Sequence, residues 1–175
     1  ETVVNVWYKD LGYINLVDKD GHYINSNGEV VENKEAAVRR QYKNDFNDTT
    51  RADVTEIPNA PVGWKISDNQ SIRGYDAETK TIDPNDDNDL DAVGKDSNVV
   101  IEKENQKAVI RYVSTNGNRV LTTDEVTGKS GEAIAYSTTS QINEFKKQGY
   151  NLVSDEFTAG GAKVYDYDTA RDQVY

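Results

Sequence analysis

Residues 106–132, QKAVIRYVSTNGNRVLTTDEVTGKSGE, decide how this chain is read. Ala108, Ile110 and Tyr112 alternate with Val109, Arg111 and Val113, the period of two expected of a strand. Asn116-Gly117 follows, a pair that tolerates positive φ and so favours a tight hairpin turn. RVLTTDEV then returns as a second strand. The closing fragment, TGKSGE, looks like the end of a phosphate-binding loop. Such a loop needs a glycine, four residues, then Gly-Lys-Ser/Thr, directly after a strand and opening a helix. Position 123 is Thr instead, and GEAIAY does not open a helix. Without the first glycine the backbone cannot wrap its N–H groups around phosphates. Gly128 and Gly131 are better read as bends where the second strand ends.

Working outward, STTSQINEFKKQG reads as a helix. Thr138 and Gln141 are spaced for a capping box, Ile142 and Phe145 face inward, and Gly149 suits a left-handed stop. YNLVSDEF and KVYDYDTARDQVY read as strands. Upstream, strands are expected near 2–9, 13–17 and 29–32, with Asn27-Gly28 as a hairpin signal. NKEAAVRRQYKNDF reads as a helix capped by Asn33, with Val38, Tyr42 and Phe46 as its apolar stripe. GWKISD, YDAETKTI and NVVIEK read as further strands. Both halves thus show a hairpin, one helix and more strands. GWKISD is echoed by GYNLVSD, and YDAET by YDYDT, in the same order, which suggests a degenerate duplication. The expected architecture is α+β: two tandem β-grasp domains, 1–105 and 106–175, each a mixed sheet with one covering helix.

Composition narrows the function. The 175 residues hold 31 acidic and 20 basic side chains, a formal charge of −11. That disfavours nucleic acid and anionic membrane surfaces as partners, because both need clustered cations. Cys and Met are absent, which removes disulfides, thiolate metal sites and cysteine nucleophiles. No apolar signal or membrane-spanning run occurs, and the chain reads as a piece of something longer.

The remaining motifs argue against catalysis. His22 is the sole histidine, and no Gly-x-Ser-x-Gly elbow accompanies it. The carboxylates are too numerous for any pair to stand out as an acid and base. One stretch is chemically distinctive: DPNDDNDLD, 83–91. Asp83, Asn85, Asp87 and Asp89 alternate oxygen ligands in a loop, the donor type calcium prefers. It departs from an EF-hand at Asn88 and Gly94, and DKDG at 18–21 departs likewise. The eleven Tyr and two Trp are suited both to half-buried strands and to platforms for sugar rings or protein partners.

With these residues in view, the second half resembles the mucin-binding (MucBP/Mub) repeat of lactic-acid-bacterial surface adhesins. The resemblance rests on Tyr112-Val113, the Asn116-Gly117 turn, Thr127-Gly128-Lys129 with Gly131, Gly149-Tyr150 with Leu152, and the ending YDYDTARDQVY. It covers roughly 106–175, and 1–105 resembles the more divergent first half of the longer repeats. It implies elongated, ubiquitin-like β-grasp domains in a non-enzymatic, extracellular adhesion module of the bacterial cell surface, wall-anchored through its parent protein and without membrane insertion. The implied partners are host mucin glycoproteins and neighbouring repeats of the same chain. Immunoglobulin or another host protein is the alternative partner, and a ligand-free spacer is a further reading. A full repeat would be expected to complete its last strand beyond Tyr175. The family carries no catalytic motif, and no cofactor is required beyond the calcium candidate.

Overall fold

The computed structural model describes residues 1–85 and 94–175. The chain divides into two compact units, Glu1–Glu102 and Lys103–Tyr175. Described strands in the first are β1 (Tyr13–Val17), β2 (Tyr23–Ile24), β3 (Val30–Val31), β4 (Arg39–Gln41), β5 (Lys43–Asn44), β6 (Ala52–Asp53), β7 (Thr55–Glu56), β8 (Trp64–Ile66), β9 (Tyr75–Asp76), β10 (Thr81–Ile82) and β11 (Ser97–Lys103). The second holds β12 (Asn105–Ser114), β13 (Arg119–Lys129), the helix α1 (Thr139–Lys147) and β14 (Gln173–Val174).

In the first unit β1 is paired on both edges. Strand β11 lies parallel to it, from Ile14↔Ser97 to Val17↔Val100. Antiparallel β4 and β2 share the opposite edge. A strand flanked this way reads as a near-continuous apolar run, which is why YINLV does not alternate cleanly. Ile14 and Leu16 are fully buried among Ile24, Ile82, Val99 and Ile101. Each such side chain contributes about 1.5–3 kcal/mol of burial.

Asn15, on the other face of β1, is also fully buried. Its amide donates to Asp96 Oδ2 at 2.9 Å. The same carboxylate accepts the Tyr13 N–H at 2.9 Å and meets Lys34 Nζ at 3.3 Å and Arg39 Nη2 at 3.5 Å. The Arg39 guanidinium in turn lies 3.6 Å from the centre of the Tyr13 ring. One acid therefore ties β1, β4 and the entry to β11.

The second unit is built on β12. It pairs antiparallel with β13 from Asn105↔Lys129 to Ser114↔Arg119, with a bulge at Tyr112/Val113. On its other edge β14 runs parallel, Ala108↔Gln173 and Val109↔Val174. Backbone bonds from Tyr175 N to Val109 O and from Arg111 N to Tyr175 O extend that pairing. Ala108 and Ile110 pack with Ile134, Phe157 and Tyr165. The parallel return is held by Gln106, whose side chain is buried. Its Nε2 donates to Asp166 Oδ1 at 2.6 Å and to the carbonyls of Asp168 and Arg171 at 3.0 and 2.9 Å. Its Oε1 accepts the Lys107 N–H.

The fragment TGKSGE finishes β13 and turns. Gly128 lies opposite Gln106 within the ladder. A Cβ there would sit 2.2 Å from a carbon of the Tyr165 ring, so the glycine lets that ring lie against the sheet. Gly131 has φ +84° and makes the bend. No phosphate cradle forms.

Several expectations are corrected. The helix over NKEAAVRRQYKNDF is absent: a single 3-10 turn, Lys34–Ala36, gives way to β4 and β5, and Asn33 makes no side-chain cap. The edge of β1 opposite β11 takes up strand bonds with β4 instead. Tyr42 buries its ring there, with its hydroxyl donating to Ser97 Oγ at 2.7 Å. A lone short helix is marginal in water, so this pairing wins. Phe46, expected in the apolar stripe, is 95% exposed. Without a covering α-helix among its described residues, the first unit does not show the β-grasp plan expected of it.

Residues 2–9 make no strand: Val3, Val4, Val6, Trp7 and Tyr8 are all exposed. YDAETKTI is a hairpin of β9 and β10 rather than one strand. YNLVSDEF is loop and turn. Of KVYDYDTARDQVY only Gln173–Val174 is a strand, with Val164 bridged to Ala133. The duplication is not visible in the layout either, since the described residues of the first unit form three sheets and those of the second one sheet with a helix. The YDAET/YDYDT echo is local: in each, an Asp Oδ1 accepts the N–H two residues on, Asp76 from Glu78 and Asp166 from Asp168.

Two substitutions test these anchors. Gln106→Leu leaves the turn carbonyls without a donor and is expected to destabilise the second unit by about 1–3 kcal/mol in urea unfolding. Burial pushes the Asp96 carboxyl up, but the bonds from Asn15 and Tyr13 and the Lys34 ammonium outweigh it, so its pKa lies below the ordinary 3.8. A depressed acid contributes stability above its unfolded pKa and loses it as the pH falls through the folded one. Acid titration of the wild type should therefore lose stability below about pH 4, and Asp96→Asn should flatten that slope while lowering stability at neutral pH.

Candidate functional site

The second unit contains a cleft of about 610 Å³ between β12, α1, the loop 149–157 and the chain end. Its walls are aromatic. Tyr112 comes from β12 and Phe145 from α1, their ring centres 5.8 Å apart. Tyr150 meets Phe145 edge to face at 5.6 Å. On the other side Phe157 packs edge to face against Tyr136 at 5.5 Å and Tyr175 at 5.3 Å. Such tilted contacts suit the ring quadrupoles and fix ring orientation. Ile142, Leu121 and the exposed Leu152 and Val153 complete the apolar lining.

Local chemistry explains the placement. Helix α1 runs from Thr139 to Lys147 and ends where Gly149 takes φ +93°. Ile142 and Phe145, three apart, share its inward face, yet no residue of α1 is fully buried. The helix lies against the cleft rather than closing it. The expected capping box does not form. Thr138 instead donates its hydroxyl to Asp155 Oδ2 at 2.6 Å. Asp155 Oδ1 accepts the N–H groups of Phe157 and Thr158 at 2.9 and 3.2 Å. One carboxylate thus joins the helix start to the loop that walls the cleft. Burial pushes this acid up, but the donors from Thr138, Thr158 and Phe157 prevail and hold it below the ordinary carboxylate value.

Beneath the rings runs a polar chain. Tyr136 donates to Asp124 Oδ2 at 2.6 Å, and the Tyr112 and Tyr136 hydroxyls are 2.5 Å apart. An ionised carboxylate only accepts, so Tyr136 commits its proton to Asp124 and Tyr112 must donate to Tyr136. Tyr112 is left with acceptor capacity on its oxygen. Burial, joined by the bond to Asp124, raises Tyr136 far above an ordinary phenol, and burial raises Tyr112 as well. At the rim, Arg119 donates to the Tyr150 hydroxyl at 3.3 Å, and Arg111 and Lys146 line the cleft. Nearly all the excess negative charge lies in residues 1–102, so the cleft sits in a nearly neutral unit.

The calcium candidate is divided. Asp87 and Asp89 lie outside the described residues. Asp83 and Asn85 are near each other, Asp83 Oδ1 accepting the Asn85 N–H at 3.0 Å, while the Asn85 amide donates to the Ala52 carbonyl. The DKDG segment gathers Asp18, Asp20 and His22, with ligand atoms within 4.8 Å. Asp18 is already engaged, accepting N–H bonds from Asp20 and His22 and touching His22 Nδ1 at 3.1 Å. Burial pushes it up, and those bonds bring it below its ordinary value. That is the pattern of a turn closed by an aspartate.

Sequence reasoning assigned no cleft residue a binding role: Tyr112, Tyr150 and Leu152 entered as marks of the resemblance, and Ile142 and Phe145 as an inward helix face. The signal lay in SDEFT: an Asp followed two and three residues on by N–H groups it can cap marks a turn, so YNLVSDEF could not remain a strand.

Residues 106–175 match the family model described as Mucin binding domain. Among solved structures, the type 2 repeat of the mucus binding protein MUB from Lactobacillus reuteri is 36% identical, with a TM-score of 0.37. The match covers 40% of this chain and 37% of that one, so the chain spans well under half of that structure. No curated protein matches the chain. Among the described residues no helix is long and apolar enough to cross a membrane.

The polar chain predicts an alkaline signature. A tyrosine with a raised pKa stabilises the fold below its unfolded value near 10 and loses that contribution as the pH rises further. Tyr136→Phe should cost about 1–2 kcal/mol at neutral pH. It should also remove one late-ionising phenol from the ultraviolet titration of the folded protein.

Proposed function

We propose that this protein is a non-enzymatic adhesion module of an extracellular surface protein, and that its C-terminal unit contacts mucin glycoproteins through the cleft beside α1. The observation that carries this reading is the pairing of the family match over 106–175 with an aromatic cleft in the same residues. Sugar rings offer apolar C–H faces and many hydroxyl donors. Tyr150 and Phe145 supply ring faces and edges, and the Tyr112 oxygen supplies an acceptor aligned by Tyr136 and Asp124. Arg111, Lys146 and Asn151 add polar groups for ring substituents. A shallow site of this kind binds weakly, and adhesion strength would come from repetition along a parent chain.

Two shifted groups beside the cleft speak for binding rather than turnover. Asp155 is held ionised by donors and Tyr136 is held protonated, so neither titrates near neutrality as a general acid or base needs to.

The test is retention on immobilised mucin by the whole protein. Tyr150→Ala removes a rim ring that is not in the core and should weaken retention about five- to thirtyfold, the range for losing one aromatic contact of 1–2 kcal/mol. Circular dichroism and the unfolding midpoint should stay near wild type. Unchanged retention by a Tyr150→Ala, Lys146→Ala double variant would remove the cleft from the proposal, and deglycosylated mucin retained equally well would remove the sugar.

A further inference from the structure

The sequence contains two Asn-Gly steps, 27–28 and 116–117, and one Asp-Gly step, 20–21. All three have the composition for succinimide chemistry, in which the glycine amide nitrogen attacks the preceding side-chain carbonyl. The fold treats them differently. At 27–28 the Gly28 N–H donates to Asn25 O at 3.0 Å, and the Asn27 N–H donates to Asn25 Oδ1 at 2.9 Å. The position is also crowded, since a Cβ on Gly28 would lie 2.7 Å from Trp64 Nε1. At 20–21 the Gly21 N–H donates to Asp18 O at 3.0 Å. Each glycine nitrogen is committed, and each turn is braced by Asn25 or Asp18.

Gly117 shares the positive φ of Gly28 and Gly21 and the open surroundings of Gly21, and differs from both in its hydrogen bonding. It sits at the tip of the β12–β13 hairpin, its φ is +74°, and nothing lies within 4 Å of where a Cβ would be. Its N–H has no hydrogen-bond partner among the described residues. Asn116 and Gly117 are exposed, and the one bond at this step is from the Asn116 N–H to Ser114 Oγ at 3.2 Å. The next residue, Asn118, has φ +52°. The tip has no packing that opposes rearrangement, and exposed hairpin tips are the backbone segments that open at least cost.

We infer that Asn116 is a site of spontaneous deamidation, selected over Asn27 by the fold. The Gly117 nitrogen, on losing its proton to solvent base, attacks Asn116 Cγ. The Cγ–Nδ2 bond breaks and ammonia leaves, giving a five-membered succinimide. Water then opens either carbonyl and leaves aspartate or isoaspartate at position 116. No oxidant or other reactant is needed. The product places a new carboxylate two residues from Ser114 and next to Thr115, both of which line the mouth of the cleft. Resting on the mucin reading, the aged form would meet ligand with one added negative charge at that mouth. The chemistry itself does not depend on that reading.

The experiment incubates the whole protein at mildly alkaline pH and follows peptides by mass and by isoaspartate content. Asn116 is expected to gain the mass of deamidation at the rate of an unfolded Asn-Gly peptide run alongside. Asn27 should lag roughly tenfold, as breaking one or two hydrogen bonds first would require. In denaturant the two sites should converge. Gly117→Ala should slow Asn116, provided its circular dichroism matches wild type, and Asn116→Gln gives the blank. Equal rates at both sites in the folded protein, or a slower Asn116, would overturn the inference. Mucin retention of fresh and aged protein is read separately, so a null result there bears on the cleft and leaves the site assignment standing.

Discussion

A single buried amide fixes the second unit. The segment 166–172 has almost no regular structure, yet it must deliver β14 parallel to β12 and not back along the hairpin. Gln106 does this from the start of β12, its two amide hydrogens facing Asp166 Oδ1 and the carbonyls of Asp168 and Arg171. Buried main-chain carbonyls need donors, and an apolar residue at 106 could offer none. Once the turn is held, Tyr175 reaches Val109 and Arg111, and its ring meets Phe157. One wall of the cleft is therefore a consequence of a polar side chain at the opposite end of the strand that carries Tyr112.

The first unit depends on the same device with the charge reversed in role. Its strands are mostly two or three residues long, too short to hold a sheet by ladder bonds alone. Aspartates close the turns between them: Asp45 accepts the Asn47 N–H, Asp48 that of Thr50, Asp76 that of Glu78 and Asp83 that of Asn85. Asp48 is held below its ordinary value by the Thr50 hydroxyl and N–H, and Asp76 by the N–H groups of Thr79 and Glu78. Several of the acids behind the formal charge of −11 are therefore turn residues. Asp18 belongs to the same chemistry, accepting the N–H groups of Asp20 and His22.

This division accounts for what sequence could and could not tell. Long alternating segments were legible: β12, β13 and their Asn-Gly turn, α1 with its glycine stop, and β11. So was the emptiness of TGKSG as a phosphate loop. The misread segments are those where a short stretch satisfies two patterns. NKEAAVRRQY has helix-forming residues and a four-residue apolar spacing, but the edge of β1 that takes up β4, with β11 from far along the chain on the other side, is invisible locally. TVVNVWY alternates as a strand should, yet nothing described pairs with it. The cleft was the least legible feature, because Tyr112, Phe145, Tyr150, Phe157 and Tyr175 come from separate segments and only their contacts make them one surface.

The cleft persists because the groups that would close it are engaged elsewhere. Helix α1 has two inward apolar residues, and a fully packed helix would press both onto β12. Here the start of the helix is tethered sideways, Thr138 to Asp155 at 2.6 Å. Asp155 is in turn occupied by the N–H groups of the loop it begins. Phe145 is caught between Tyr112 and Tyr150 at centre distances above 5 Å. A tilted and an edge-to-face contact at that spacing keep rings apart as well as together. The burial of Phe145 and Ile142 is incomplete, and apolar surface bounded by Leu152 and Val153 is left open among the described residues. A half-packed helix is a cost to folding that a binding surface makes intelligible.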